Sequence, residues 1–454
     1  MVNANSSRRL LWLIIAVALL LRVGAALWFG DDVTNFIGGT TDQRSYDMLA
    51  QRVVKGHGFS FADFHWPYTP PQTPTAHWSF LYTSFLAFIY GIFNHHPVIA
   101  RLAQAVILGV AMPLLTFRLG RFLISERIGL IAAAISAVYF YFVLFAASLM
   151  TEGFFFVTIL WSFDAVFRVA ERWRTGEKVP LRLALELGLA IGLSILLRQV
   201  IMFAHLFTAL WLLWLAVRYR QTGSLVKTGV LATVVIGLLI APWVVRNYRV
   251  FGRVSMPNTN SGFAFFWGNH PVYGGDFETV LDPARDITYQ SLIPDDVRHL
   301  NESEMDAELT RRGLAFIRDN PAEFMRLSLS RVPVQFQFWP SARSSPLANA
   351  ARFVSSGLLL PLAFAGIIIA LRQTDWGGLL RERSAANLRQ WSLLLLILYV
   401  AVYNGIHIVT WAKIRYRFPT DTVLVLFAAL ALVTLWQRSA EWRKSPRRLQ
   451  DANA

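Results

Sequence analysis

The stretch Leu10-Leu11-Trp12-Leu13-Ile14-Ile15-Ala16-Val17-Ala18-Leu19-Leu20-Leu21 decides the architecture. It belongs to an apolar run over about 9–29, which as a helix rising ~1.5 Å per residue crosses roughly 30 Å of hydrocarbon. The run follows Ser7-Arg8-Arg9 and is about twice the length of a signal-peptide core, with no small-x-small cleavage site after it, so it reads as a retained anchor. Nine further runs follow at 98–118, 127–147, 153–170, 182–198, 200–217, 225–245, 353–371, 391–409 and 419–436. The fifth and sixth of the ten nearly join, which demands a tight hairpin near Arg198-Gln199.

The whole chain agrees with this reading. Of 454 residues 55% are hydrophobic and 16% charged, with a mean hydropathy of +0.43, against about 25% charged in soluble domains. The expected fold is an all-α polytopic membrane protein of about ten transmembrane helices. The net charge of +15 is spread between apolar runs rather than gathered on one face, which argues against nucleic acid. With no cysteine, disulfides, thiol nucleophiles and thiolate metal sites are excluded.

Lys and Arg set the orientation. Arg8 and Arg9, Arg118 to Arg127, Arg168 to Arg182, Arg218 to Lys227, Arg372 to Arg389 and Arg438 to Arg448 all fall on one side, expected to be cytoplasmic together with both termini. The other side receives two long segments, 30–97 and 246–352. The chain divides accordingly into an N-terminal module (1–245), an outer segment (246–352) and C-terminal helices with a basic tail (353–454).

The first outer segment opens with Gly38-Gly39-Thr40-Thr41, a flexible lead. A short amphipathic helix follows from Asp42, with Tyr46, Leu49 and Val53 at helical spacing and Gly56 as its stop. Phe64 to Pro71 is a proline-rich irregular loop, and Phe80 to Phe93 is too short to span, so it is expected to lie in the interface. In the second segment, Ser303 and Asp306 have capping-box spacing for a helix to about Arg318. Asn320-Pro321 then starts another. These pieces suggest a lid or small subdomain.

Membrane placement makes several residues costly. Lys413-Ile414-Arg415-Tyr416-Arg417-Phe418-Pro419 puts three cations in a short outer loop, against the charge bias. An anionic ligand such as phosphate explains them, as do outer-leaflet lipid headgroups or pairing with Asp42 or Glu152. Arg198 and Arg246 carry a similar burden. Asp42 is a helix cap or a general base. Glu152 is a functional acid or the partner of an outer arginine. Seven of nine histidines lie in the outer segments without metal-ligand spacing, and no phosphate-binding loop or nucleophile elbow is present.

In order along the chain, Asp42 with Tyr46, Ala50 and Gly56-His57-Gly58-Phe59-Ser60, then Ala100-Arg101-Leu102 to Leu119-Gly120-Arg121, then Ser148-Leu149-Met150-Thr151-Glu152, Ala241-Pro242-Trp243-Val244-Val245-Arg246-Asn247-Tyr248 and Arg415-Tyr416-Arg417-Phe418-Pro419 form a set. It resembles the bacterial class C membrane glycosyltransferases related to protein O-mannosyltransferases and lipid A aminoarabinose transferases. The resemblance implies transfer of a sugar from a polyprenyl phosphate to a hydroxyl acceptor (lipid, glycan or protein) at the outer face of the bacterial inner membrane, with inversion. It implies Asp42 as the base or acceptor-orienting acid, Glu152 as support for the acceptor or an ion beside it, and Arg198, Arg246, Lys413, Arg415 and Arg417 as phosphate holders. Tyr46, His57, Asn247 and Tyr416 become substrate-contact candidates. Many relatives have Asp-Glu where this chain has Asp42-Gln43; no cofactor follows from the sequence, and a divalent metal stays open. Two rival readings are a secondary transporter and a non-catalytic envelope assembly protein; the outer position of the charges disfavours the first.

Overall fold

The computed structural model describes residues 4–34, 42–279, 281, 287–342 and 344–451, without the side chains of 4, 380 and 440–451. The lead at Gly38-Gly39-Thr40-Thr41 lies outside the described residues. The chain is helical throughout, with no strand among the described residues. The helices are α1 (Ala4–Phe29), α2 (Asp42–Val54), α3 (Phe80–Phe93), α4 (Pro97–Leu123), α5 (Glu126–Val138), α6 (Phe140–Ala147), α7 (Glu152–Arg174), α8 (Leu181–Leu197) and α9 (Met202–Arg218). They continue with α10 (Thr222–Phe251), α11 (Ser261–Gly268), α12 (Glu302–Asp319), α13 (Pro321–Gln335), α14 (Pro346–Arg372), α15 (Trp376–Arg381), α16 (Ala385–Val409) and α17 (Ile414–Asp451).

Among the described residues eight helical stretches are long and apolar enough to cross a bilayer, α9 being counted from Gln199 with the turn before it, and the bent pair α5–α6 is a ninth where it is taken as one span, so the protein is a multi-pass membrane protein. The expected run at 182–198 is α8, whose 17 residues rise only about 25 Å. The hairpin after it is present: Arg198 is extended, and the Ser194 hydroxyl lies 2.8 Å from His205 Nε2 across the reversal. Helix α10 runs through the expected boundary at 245 to Phe251, and α14 begins at Pro346 rather than 353.

Burial separates core from lipid. α17 is the centre, with Val423 to Ala429 inaccessible, packed on α14, α5, α16 and α7. α10 lies at the margin and shows Val226, Val230, Val234 and Leu238 outward, one stripe at a spacing of four residues. Small residues permit the tightest contacts. A Cβ on Gly120 would stand 2.6 Å from Gly129 Cα, and one on Gly366 would collide with the Phe427 carbonyl.

The run 127–147 is not one straight helix. It bends by 54° at Tyr139, where neither proline nor glycine occurs. The cause is tertiary. Arg22, fully buried in α1, donates to the carbonyls of Ser136 (2.9 Å) and Ala137 (3.0 Å), which lack intrahelical partners at the end of α5. The Tyr139 hydroxyl donates to Asp421 at 2.7 Å.

α2 and α3 pack on each other between the first two spans. Asp47 accepts from Tyr90 at 2.7 Å and Gly56 ends α2 at φ +80°. Ser79 caps α3 by accepting from Tyr82 N–H at 3.4 Å. The second outer segment has a small core of its own around Phe263, Trp267, Ile293, Met305, Leu309, Leu327 and Trp411. Its helix α12 starts two residues earlier than the spacing predicts. Asn301 caps it and Glu304 completes the box; Asp306 instead accepts from Gly262 N–H at 2.7 Å. Glu302, buried, takes the Thr75 hydroxyl at 2.6 Å, the Ala76 N–H at 2.7 Å and the Thr259 hydroxyl. That carboxylate fastens the subdomain to the first loop, and its burial pushes its pKa up.

Candidate active site

At the end of the bundle that the charge bias assigns to the outside, three remote segments meet. The start of α2 brings Asp42, the start of α7 brings Glu152, and the start of α17 brings Arg415 and Tyr416. Arg415 Nη1 lies 2.5 Å from Asp42 Oδ2, with both side chains about one-fifth exposed. Arg198, from the α8–α9 turn, donates to Glu152 at 2.5 Å and through Nε to the Thr151 hydroxyl at 3.1 Å. The Glu152 side chain is fully inaccessible. A carboxylate placed there survives only with a partner, and Arg198 supplies it.

The two pairs adjoin. The Tyr416 ring carries the Arg415 guanidinium at 5.2 Å and that of Arg198 at 5.7 Å, and Arg415 also feels Glu152. His407 stacks on the same ring at 4.8 Å. Lys413 has its ammonium over Trp411 (5.5 Å) and Tyr289 (6.0 Å). Its surroundings are aromatic and cationic, and burial pulls its pKa down. Tyr46 stands behind Asp42, edge-on to Trp78 and Tyr82. His77 faces this group: burial lowers its pKa to about 4, against the opposing pull of Asp42, so it is neutral at pH 7. His65, 2.9 Å from the Ser45 hydroxyl, is lowered to about 4 by burial, assisted by Arg44.

Of the residues singled out from sequence, Asp42, Tyr46, Glu152, Arg198, Lys413, Arg415 and Tyr416 come together. The others sit in different networks. Arg417 is fully buried, held by Asp421 at 3.1 Å and the Ser356 hydroxyl at 2.6 Å. Arg246 donates to the Thr75 carbonyl at 3.1 Å beneath Phe59, Phe80 and Phe251. Asn247 ties α10 to the Met256 and Pro257 carbonyls. His57 is exposed on the turn after α2, its carbonyl accepting from Ser60. The fold adds His77, Tyr403 and His407. The last two lie four residues apart on α16, and a polar pair at that spacing in an apolar span was a legible signal.

A divalent cation finds a poor donor set at Asp42. Among the described residues no three acids or histidines are placed to share a metal. Gln43, beside Asp42, is buried with its Oε1 taken by Arg101 at 3.2 Å and by Leu149 N–H at 2.9 Å. Its side chain is a structural tie between α2, α4 and the α6–α7 turn.

No sequence-family model and no curated protein matches the chain. Solved structures do match. The oligosaccharyltransferase of Archaeoglobus fulgidus in its apo form superposes with a TM-score of 0.57 at 16% identity, covering 98% of this chain and 52% of that one. The same enzyme tethered to an acceptor peptide gives 0.55 at 18% identity, covering 97% and 51%. Its form as AglB with an inhibitory peptide and a dolichol-phosphate gives 0.53 at 15%, covering 97% and 52%. The chain spans about half the length of these neighbours. Its fold is that of the class C membrane glycosyltransferases.

Proposed function

We propose that the protein is a membrane glycosyltransferase that moves a sugar from a polyprenyl phosphate to a hydroxyl of a lipid, glycan or protein at the outer face of a bacterial inner membrane. The observation that carries this reading is the pair of neighbouring acid–arginine contacts, Asp42–Arg415 and Glu152–Arg198, on either side of Tyr416. The oligosaccharyltransferase of the same fold was solved with a dolichol-phosphate, which supports a lipid phosphate as the donor's leaving group.

In this reading Asp42 takes the proton of the acceptor hydroxyl. The acceptor hydroxyl oxygen forms the new bond to the anomeric carbon as the bond from that carbon to the phosphate oxygen breaks, with inversion. The phosphate leaves with growing negative charge, which Arg415, Arg198 and Lys413 neutralise; donors aimed at developing charge are the largest electrostatic term in such reactions. Arg415 holds Asp42 until the phosphate competes for its guanidinium, so donor binding frees the base. Glu152 keeps Arg198 in place, and neutral His77 is suited to hydrogen bonding rather than to holding phosphate. The test is transfer from a set of polyprenyl-phosphate sugars by Asp42→Asn protein in nanodiscs, with folding checked by size exclusion. Turnover falls at least ~100-fold if Asp42 is the base; near-normal turnover refutes that role.

A further inference from the structure

At the end of the bundle opposite Asp42, α7 carries Trp161, Asp164 and Arg168 on one stripe, three and four residues apart. The stripe looks into a cleft between α4 and α8, and two hollows open along it. One, of about 210 Å³, is lined by Arg118, Arg121, Phe122, Asp164, Phe167 and Arg168. The other, of about 530 Å³, is lined by Trp161, Arg182, Leu185, Glu186, Leu189 and Val235. The two share a wall: Glu186 receives both the Arg168 guanidinium and the Trp161 indole N–H, the latter at 2.8 Å.

The charge is unbalanced. Four arginines (118, 121, 168 and 182) surround two carboxylates, Asp164 and Glu186. Asp164, 5% exposed, takes Arg118 at 2.8 Å and Arg168 at 2.9 Å. Arg121 and Arg182 have no carboxylate partner among the described residues. The hollows also differ in depth. Seven residues separate Arg168 from Trp161, about 10 Å along the helix, so the apolar hollow lies deeper in the bilayer than the basic one. Leu185 and Leu189, 40% and 36% exposed, face it.

A basic hollow at the membrane edge that continues into an apolar one at greater depth has the polarity of a single lipid molecule in its own leaflet. We propose that this cleft binds an anionic glycerophospholipid of the leaflet at the basic end. Its phosphate is held by Arg121 and Arg182, beside the acid-paired Arg118 and Arg168, and one acyl chain lies along Trp161, Leu185 and Leu189. A free anion has no use for the apolar hollow, and a zwitterionic headgroup brings its own cation to an arginine cluster. The lipid joins α4, α7 and α8, and by binding only the folded bundle it stabilises it.

The experiment titrates the purified full chain in neutral detergent with phosphatidylglycerol, phosphatidylcholine or inorganic phosphate, following bound lipid by native mass spectrometry and melting by fluorescence. Phosphatidylglycerol binds more tightly than phosphatidylcholine and raises the melting temperature. The R121Q/R182Q variant, which breaks no described ion pair, weakens phosphatidylglycerol by about 30-fold and phosphatidylcholine little. Leu189→Trp, which fills the apolar hollow, weakens both lipids. Equal binding of the two lipids overturns the proposal, as does an R121Q/R182Q variant with the wild-type preference. Displacement of phosphatidylglycerol by inorganic phosphate, or by polyprenyl phosphate at equal concentration, overturns the assignment to a phospholipid.

Discussion

Arg415 and Arg417 stand two residues apart and should respond to mutation in opposite ways. Both Arg417 and Asp421 have completely inaccessible side chains. Removing the guanidinium in Arg417→Gln leaves the Asp421 carboxylate in the bundle with the Tyr139 hydroxyl, at 2.7 Å, as its remaining described side-chain donor. Breaking a buried pair on one side costs about 3–5 kcal/mol, whereas replacing both partners by apolar residues is often neutral or stabilising. At roughly 2–4 °C per kcal/mol, the single variant should melt on the order of 10 °C below wild type. Arg417→Met with Asp421→Leu should recover most of that loss. The assay is thermal melting of detergent-solubilised protein by fluorescence-detected size exclusion, over the four corners of the double-mutant cycle. An R417Q protein that melts like wild type, or a double variant that melts below both singles, refutes the reasoning. Transfer activity adds a second readout. The folded double variant keeps it if Arg417 is structural and loses it if Arg417 holds the donor phosphate.

Arg415→Gln should do the reverse, cutting turnover by about 10²–10³ while leaving the elution profile of the detergent-solubilised protein unchanged; a folded variant with full turnover removes Arg415 from the site. Asp306 supplies a pH prediction. Burial raises its carboxyl to about 7, with the Gly262 N–H pulling the other way. The folded state therefore holds a proton that the unfolded chain releases near pH 4, so this group's contribution to stability falls as pH rises from about 4 to 7 and levels off beyond. Melting temperature measured across that window should drop for wild type and drop less for Asp306→Asn, and parallel curves for the two would sink the idea.

Much of the fold was legible because hydrocarbon imposes a length on every spanning helix. The runs at 9–29, 353–371 and 391–409 fall inside α1, α14 and α16, which each begin several residues earlier, and the Tyr46, Leu49, Val53 periodicity locates α2. What the sequence hides are the causes that act across distance. Nothing local marks Tyr139 as a break; the bend depends on Arg22, more than a hundred residues earlier, and on Asp421, 282 positions later. Conversely Pro113, Pro242 and Pro361 lie inside α4, α10 and α14 without ending them, since neighbouring groups can take up the freed carbonyls in a bundle.

The site shows the same division. That outer arginines need anions or acids followed from the charge bias, but which arginine meets which acid did not. The sequence treats Arg415 and Arg417 alike. On α17 they point about 200° apart at 100° per residue, so one meets Asp42 in the candidate site and the other meets Asp421 in the core. Gln43 is similar: one position from the candidate base, it is spoken for by Arg101 and the Leu149 backbone.

The place of α17 bears on how the protein is made. Its inaccessible middle, Val423 to Ala429, fills the space that α5, α7, α14 and α16 enclose, and it leaves the ribosome after all of them. Between the emergence of Tyr139 and that of Asp421 a ribosome adds 282 residues, roughly 15–60 s of synthesis. Until α17 emerges, Tyr139 lacks Asp421 and the helices already inserted lack the one that fills their centre. Chains stalled before residue 414 should therefore be degraded rather than accumulate as a stable shortened form.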